Sequence, residues 1–322
     1  MGKSKLDQLK AMTTVVADTG DFEAIQKYHP IDATTNPSLI LAAMQKPQYR
    51  HLLEDAYKFS NSKARSKEEQ SSLLLDKVFV NFGIEILKIV PGRVSTELDA
   101  HLSFDVEESI RRAQAIIKLY EAAGIAKERV LIKLASTWEG TRAALKLEQM
   151  GIHCNMTLLF SLPQAIACGD VKATLISPFV GRILDWYKKN DGVSSYAPEK
   201  DPGVLSVNEV YTYLKKFDYK TQVMGASFRN ADEILELAGC DLLTISPQYL
   251  EELSKAEGSV PRKLDPVKAH QADVKKIEMD EKMFRWMLNQ NAMATEKLSE
   301  GIRKFAEDSD KLLTQLNAMF KK

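Results

Sequence analysis

The stretch VLIKLASTWEG, Val130–Gly140, decides how the rest of the chain is read. It opens with apolar residues on both sides of one lysine. Val, Leu, Ile and Leu in such a run read as a strand buried on both faces, and an isolated ammonium there is costly to desolvate unless it is paired or neutralised. Period-two alternation puts Val130, Ile132 and Leu134 on one face and Leu131 and Lys133 on the other. Lys133 therefore needs a fold in which the second face of a buried strand looks into an enclosed space.

Outward from that stretch, short apolar or β-branched runs alternate with longer segments at helical spacing, the sign of parallel strands joined by crossover helices. Eight runs read as strands: TTVVAD ending at Asp18, PIDATTN ending at Asn36, RVSTEL ending near Glu97, VLIKLA around Lys133, IHCNMTL around Thr157, ATLISPF around Ser177, TQVMGAS ending at Ser227 and DLLTIS ending at Ser246. Eight closes a (β/α)8 TIM barrel, an α/β fold whose lumen gives Lys133 its enclosed face. At 322 residues the chain reads as one barrel domain, 1–322, with additional C-terminal helices over about 280–322.

The intervening segments support helices. DVEESIRRAQAIIKLYEAAG places Ile110, Ala113, Ile117 and Tyr120 on one stripe and stops at Gly124, and TWEGTRAALKLEQMG places Ala143, Leu147 and Met150 likewise and ends at Gly151. VFVNFGIEILKIVPG fits either a buried helix or a strand; Pro91-Gly92 closing it ahead of RVSTEL favours the helix, and a strand would shift the count by one. Two polar inserts, FSNSKARSKEEQSS from Phe59 and KKNDGVSSYAPEKDPG from Lys188, read as solvated surface excursions, with functional lids as the alternative. In the tail, Leu298, Ile302, Phe305, Leu312 and Leu316 are spaced for one helical face, expected to pack on the outside of the barrel or on a partner chain.

Composition narrows the function. Lys plus Arg number 44 and so do Asp plus Glu, so no global field steers the chain toward nucleic acid or an anionic membrane. Cys154, Cys168 and Cys240 form no C-x-x-C pair, which speaks against a disulfide framework or zinc site and suits free thiols in a reducing compartment. MGKSKLDQLKAMTTVV has no long apolar segment, Gly2 lacks the Ser or Thr at position six that myristoylation needs, and no run approaches the ~20 apolar residues of a membrane span. A cytoplasmic protein is expected. There is no G-x-x-x-x-G-K-[ST], no G-x-G-x-x-G after a strand and no H-E-x-x-H, and His29, His51, His101, His153 and His270 have no metal spacing. The expectation is lysine, carboxylate and phosphate-anchor chemistry with no metal and no cofactor.

In such a barrel the reacting groups come from the C-terminal ends of different strands. Asp18, Thr34, Thr35, Asn36, Glu97, Lys133, Asn155, Thr157, Ser177, Arg182, Ser227 and Arg229 occupy those positions and should converge. A partly desolvated lysine near other cations gives up its proton more readily, and the neutral amine attacks a carbonyl to form a Schiff base. A lysine snorkelling to the rim or salt-bridged to Glu97 is the plainer alternative. Breaking a carbon–carbon bond through that imine also needs a base, a role that suits Asp18; the alternative is an N-cap for DTGDFEAIQKY. Glu97 and Thr157 are candidates to hold a proton-shuttling water, although an ion-paired or capping carboxylate is the commoner fate of a lone glutamate. SPFVGR and GASFRN each offer a serine and an arginine, Ser177 with Arg182 and Ser227 with Arg229, on loops where phosphate sits in these barrels. Surface ion pairing is the plainer reading of either arginine alone.

DATTNPSLI, PGRVSTEL, VLIKLASTWEG, CNMTLLF, ISPFVGR and GASFRN resemble, in order, the successive motifs of the transaldolase family, and the likeness covers most of the chain, tail included. The resemblance implies a class I, Schiff-base (β/α)8 enzyme of the pentose phosphate pathway. It would move a dihydroxyacetone unit from sedoheptulose 7-phosphate or fructose 6-phosphate to glyceraldehyde 3-phosphate or erythrose 4-phosphate. Carried over by motif, Lys133 is the nucleophile, Asp18 the acid/base, and Glu97 with Thr157 position the catalytic water. Asn36 and Asn155 bind the dihydroxyacetone hydroxyls, with Thr34 and Ser177 also in the pocket, and Arg182, Ser227 and Arg229 hold the phosphate. It also implies a homodimer. The rivals are a fructose 6-phosphate aldolase, whose relatives are similar to shorter chains lacking the tail, and a non-catalytic sugar-phosphate-binding barrel, which has no use for a lumen lysine.

Overall fold

A computed structural model describes residues 3–320; Gly2 and the last two residues of the tail lie outside the described residues. The eight runs form strands β1 Thr14–Asp18, β2 Asp32–Thr34, β3 Val94–Glu97, β4 Val130–Ala135, β5 His153–Leu159, β6 Leu175–Pro178, β7 Gln222–Gly225 and β8 Leu242–Ile245. All are parallel and pair in chain order, and β8 returns to β1 to close the barrel. Several strands stop short of the polar residue that ends the run, because that residue turns to begin the next helix. Asn36, for example, caps the helix Pro37–Ala43 by accepting from the Leu39 amide, with proline at its first turn.

Side-chain alternation builds the lumen in layers. Val16, Leu131, Leu175, Met224 and Leu242 form an apolar cluster of their own, essentially without exposure, and each contributes roughly 1.5–3 kcal/mol through burial. Two residues further along each strand or its continuation stand Asp18, Lys133, Ser177, Ala226 and Thr244. Period two keeps these on the same inward face, one layer nearer the C-terminal mouth.

The helix Val106–Ala122 buries Ala113, Ile117 and Tyr120 and stops before Gly124, whose φ of +78° suits glycine. Trp138–Gln149 buries Ala143 and Leu147, whereas Met150 follows the helix as its C-cap and is exposed, against the expected stripe. VFVNFGIEIL lies inside the helix Lys67–Leu87, so the strand count stands. The first polar insert needs a correction: it is a surface, but a helical one. The helices Arg50–Lys63 and Lys67–Leu87 run through it with a short break, and Ser66 caps the second by accepting from Glu69 N. Lys, Glu and Gln are good helix formers, and a helix end facing water has no apolar period to betray it. The second insert is an exposed connection, residues 192–201, between the helices Val180–Asp191 and Pro202–Lys216.

The tail also differs in part from expectation. Its long helix, Ala292–Phe320, buries Leu298, Ile302, Phe305, Leu312 and Leu316 on one face as the spacing requires. The first half of this helix, with Leu298, Ile302 and Phe305, lies across the mouth of the barrel, against the helix that follows β6 and the turn Ala100–Leu102 after β3, while Leu312 and Leu316 pack outside the barrel on the helices Arg50–Lys63 and Lys67–Leu87, as expected. Gly301 permits the approach: a Cβ there would meet Leu158 Cδ2 at 2.7 Å. Ser38 donates to Asp308 and Gln45 donates to Gln315 at 2.8 Å, tying the helix to the rim. Among the described residues no helix is long and apolar enough to cross a membrane.

Candidate active site

Lys133 projects from the middle of β4 into the lumen and is 4% exposed. The register sets Glu97 beside it on β3 and Asn155 beside it on β5. Its Nζ donates to Glu97 Oε2 at 3.0 Å and to the Thr35 carbonyl at 3.4 Å. The ion pair that competed with the Schiff-base reading is therefore present, but it lies inside the barrel and not at the rim. Burial pushes the Glu97 carboxyl up, against the opposing pull of Lys133 and Arg182.

Above the pair is a small cavity of about 60 Å³. Asp18, Thr34, Asn36, Lys133, Ser177, Arg182 and Ser227, all expected from sequence, line it. Asp18 is a lumen residue; the cap of the helix after β1 is Asp21 instead. Burial raises Asp18 too, offset first by Lys133 and then by the hydrogen bond from Thr34. Thr34 Oγ1 donates to Asp18 Oδ1 at 2.9 Å and lies 2.7 Å from Thr244 Oγ1. A hydroxyl has one proton, so while Thr34 gives its own to Asp18, Thr244 must be donating to Thr34.

On the far side, Ser177 Oγ donates to Asn155 Oδ1 at 2.6 Å, and Asn155 Nδ2 donates to Ser95 Oγ at 3.0 Å. This chain fixes which way the buried amide faces. Thr157, two residues on, has a buried hydroxyl with no hydrogen-bond partner among the described residues. Leaving such a group unpaired costs about 1–3 kcal/mol, so it marks a place where water or substrate completes the bonding.

Arg182 reaches the cavity between two rings, 4.9 Å from the centroid of Phe179 and 5.3 Å from that of Phe305. Among the described residues it forms no salt bridge, and burial followed by the like charge of Arg229 pushes its pKa down from the ordinary guanidinium range. Arg229 departs from expectation. It does not line the cavity, and its guanidinium grips Asp185, Nε to Oδ2 at 3.0 Å, where both side chains are exposed.

Thr244, Phe179, Met224 and Phe305 line the cavity without having been singled out from sequence. Thr244 follows Leu242 by two, the same spacing as Lys133 after Leu131, and was legible on that ground. Phe305, 5.8 Å from Lys133 Nζ to the ring centroid, gave no signal separating it from the rest of its helical stripe. Among the described residues no group of His, Cys, Asp or Glu is placed to hold a metal, and all three cysteines are free and buried.

Comparison with known proteins agrees with this geometry. Residues 15–316 match the family described as Transaldolase/Fructose-6-phosphate aldolase. A transaldolase of Protochlamydia amoebophila is 66% identical over 321 residues, covering 100% of this chain and 99% of that protein. The transaldolases of Rattus norvegicus and Homo sapiens are 60% and 59% identical over 311 residues, covering 96% of this chain and 92% of each relative. Since the family match runs from the first barrel strand into the helix across the mouth, the chain belongs to the transaldolase/fructose-6-phosphate aldolase family.

Proposed function

We propose that this chain is a transaldolase, transferring a dihydroxyacetone unit between sugar phosphates through a Schiff base on Lys133. The observation that carries the reading is a lumen lysine held 3.0 Å from a buried carboxylate and opening on a cavity lined by a second carboxyl group and a guanidinium with no salt bridge among the described residues. Transfer of the Lys133 proton to Glu97 frees the amine to attack the ketone carbon of the donor. The resulting carbinolamine loses water, which Glu97 and the unpartnered Thr157 hydroxyl hold, and an iminium remains. Asp18 then takes the proton of the hydroxyl beside the scissile bond. The carbon–carbon bond breaks, its electron pair moves into the iminium to give an enamine, and the first aldose leaves. The acceptor aldehyde enters, the enamine attacks it, Asp18 returns the proton to the new hydroxyl, and hydrolysis of the imine releases the product ketose.

Asn36 and Asn155 hold the dihydroxyacetone hydroxyls, with Thr34 and Ser177 beside them. Arg182 and Ser227 bind the phosphate, and Arg229 joins them by exchanging Asp185 for the phosphoryl group. Phe305 and the helix that carries it shield the enamine from water, which favours transfer to an acceptor over release of free dihydroxyacetone. The chain works as one barrel domain with that helix as a cover, in the cytoplasmic pentose phosphate pathway and as a homodimer. The free thiols support the reducing compartment; pathway and dimer rest on the family resemblance.

The test supplies fructose 6-phosphate with and without erythrose 4-phosphate and then adds borohydride. The expected result is sedoheptulose 7-phosphate when the acceptor is present and a reduced adduct mapped to Lys133 when it is absent. Rapid accumulation of free dihydroxyacetone would make the chain an aldolase, and an adduct on another lysine would move the site.

A further inference from the structure

Behind the loop that carries Ser227 and Arg229 lies a pair of carboxyl groups that the mechanism leaves idle. Glu233, on the short helix Ala231–Glu236, has no exposure, and Asp201, at the end of the exposed 192–201 connection, has almost none. Glu233 Oε2 accepts from the backbone N–H of Arg229 at 2.5 Å, while Oε1 is buried without a hydrogen-bond partner among the described residues. Asp201 Oδ1 accepts from the amides of Gly203 and Val204 at 2.8 and 3.3 Å.

The turn between them is under tension. Ser227 stands at φ +60°, a left-handed conformation that a serine keeps only where its surroundings hold it. Two clamps flank it. On one side the Gly181 amide donates to the Ser227 carbonyl at 2.9 Å, and a Cβ at Gly181 would meet that oxygen at 2.5 Å. On the other side Glu233 holds the Arg229 amide.

We infer that Glu233 is a positioning residue for the phosphate-binding turn: a proton shared with Asp201 fixes the carboxyl group that holds the Arg229 amide, and so sets Ser227 and Arg229 for the phosphoryl group of the substrate. This rests on the transaldolase reading of the mouth. Two neighbouring carboxylates in a dry site do not both ionise, and a proton on Oε1 gives the orphan oxygen a bond to make with Asp201. Burial is the chief cause that lifts Glu233 to about 7; the Arg229 amide pulls it down, and the Asp201 charge pushes it up. The other titratable groups facing the pair are Arg229 on the turn, Lys188 from the helix Val180–Asp191, Tyr196 from the 192–201 connection and Tyr249 from the helix Pro247–Lys255. Because the Glu233 value in the folded chain lies above its free value, the stabilisation is complete in acid and fades as pH rises through about 7. Above that, the pair carries two negative charges and the turn loosens.

The experiment compares KM and kcat for a phosphorylated acceptor and for unphosphorylated glyceraldehyde from about pH 6 to about pH 9, a window spanning the loss of the shared proton. It uses the full chain and the variants Glu233→Gln, Asp201→Asn and Glu233→Ala. In the wild type, KM for the phosphorylated acceptor should rise at alkaline pH. Glu233→Gln and Asp201→Asn each keep one donor between two acceptors, so both should retain the acidic-side KM at every pH. Glu233→Ala should raise that KM roughly tenfold, the size of one lost hydrogen bond, with kcat and the glyceraldehyde reaction little changed. The inference is overturned if the amide variants follow the wild-type pH profile, or if every variant loses both acceptors equally. Should Glu233→Ala not fold, the two amide variants still decide. A wild-type chain that transfers nothing would sink the parent reading instead.

Discussion

Two ion pairs in this molecule are buried to the same depth in different surroundings. Arg112 pairs with Asp76 at 2.7 Å between two barrel helices, and Lys133 pairs with Glu97 at 3.0 Å in the lumen; no side chain of the four is more than 7% exposed. Arg112 spreads its guanidinium over Asp76 and both the hydroxyl and the carbonyl of Ser72. Burial pushes the Asp76 carboxyl up to about 6, with the guanidinium pulling against it. The lysine makes one charged contact and one long carbonyl contact, and it faces open space. Arginine stays charged whatever surrounds it and suits a permanent fixture, while lysine can surrender its proton and become a nucleophile. On the proposed mechanism, what separates a structural pair from a reactive one is the cation chosen and the empty volume next to it, since depth is equal.

The sharpest way to break that comparison is Lys133→Arg. It keeps the charge and a partner for Glu97, so the fold should persist by circular dichroism while turnover and the borohydride adduct fall to background; residual transfer would mean that the pair is structural after all. Next in size is Arg112→Met. Stranding Asp76 should lower stability by about 3–5 kcal/mol in urea unfolding at neutral pH, and adding Asp76→Leu should recover most of the loss. Turnover per folded molecule should be unchanged in both. The smallest effect belongs to a guanidinium of a third kind, one without a carboxylate. Arg182→Ala should weaken phosphorylated substrates by roughly 1.5–3 kcal/mol, visible in KM, with Arg229→Ala costing less because Asp185 already answers its charge. An equal loss for an unphosphorylated acceptor would remove Arg182 from the phosphate site.

The barrel was legible because eight short apolar runs alternate with segments at helical spacing, and the polar residues at the run ends, such as Asp18, Lys133 and Ser177, come together on the lumen face two positions after the floor residues Val16, Leu131 and Leu175. Thr244, two residues after Leu242, has the same placement and was not singled out. Phe305 was out of reach: an aromatic ring on an apolar stripe looks the same whether it meets core or cavity, and only the path of the tail helix distinguishes them. The Arg229–Asp185 grip was equally hidden, since it joins a loop to a helix far back in the chain. Helix Lys67–Leu87 begins in residues that read as a loop because water-facing turns lack periodicity, although Ser66 and Glu69 already spell a helix start.

The apolar plug of Val16, Leu131, Leu175, Met224 and Leu242 leaves the reaction chamber a dead end. On the proposed mechanism, whatever enters past Arg182 leaves the same way, so donor remnant and incoming acceptor share a doorway. On the proposed mechanism such a queue makes turnover alternate: the first aldose departs before the second arrives, and both compete for the lysine-bound dihydroxyacetone unit.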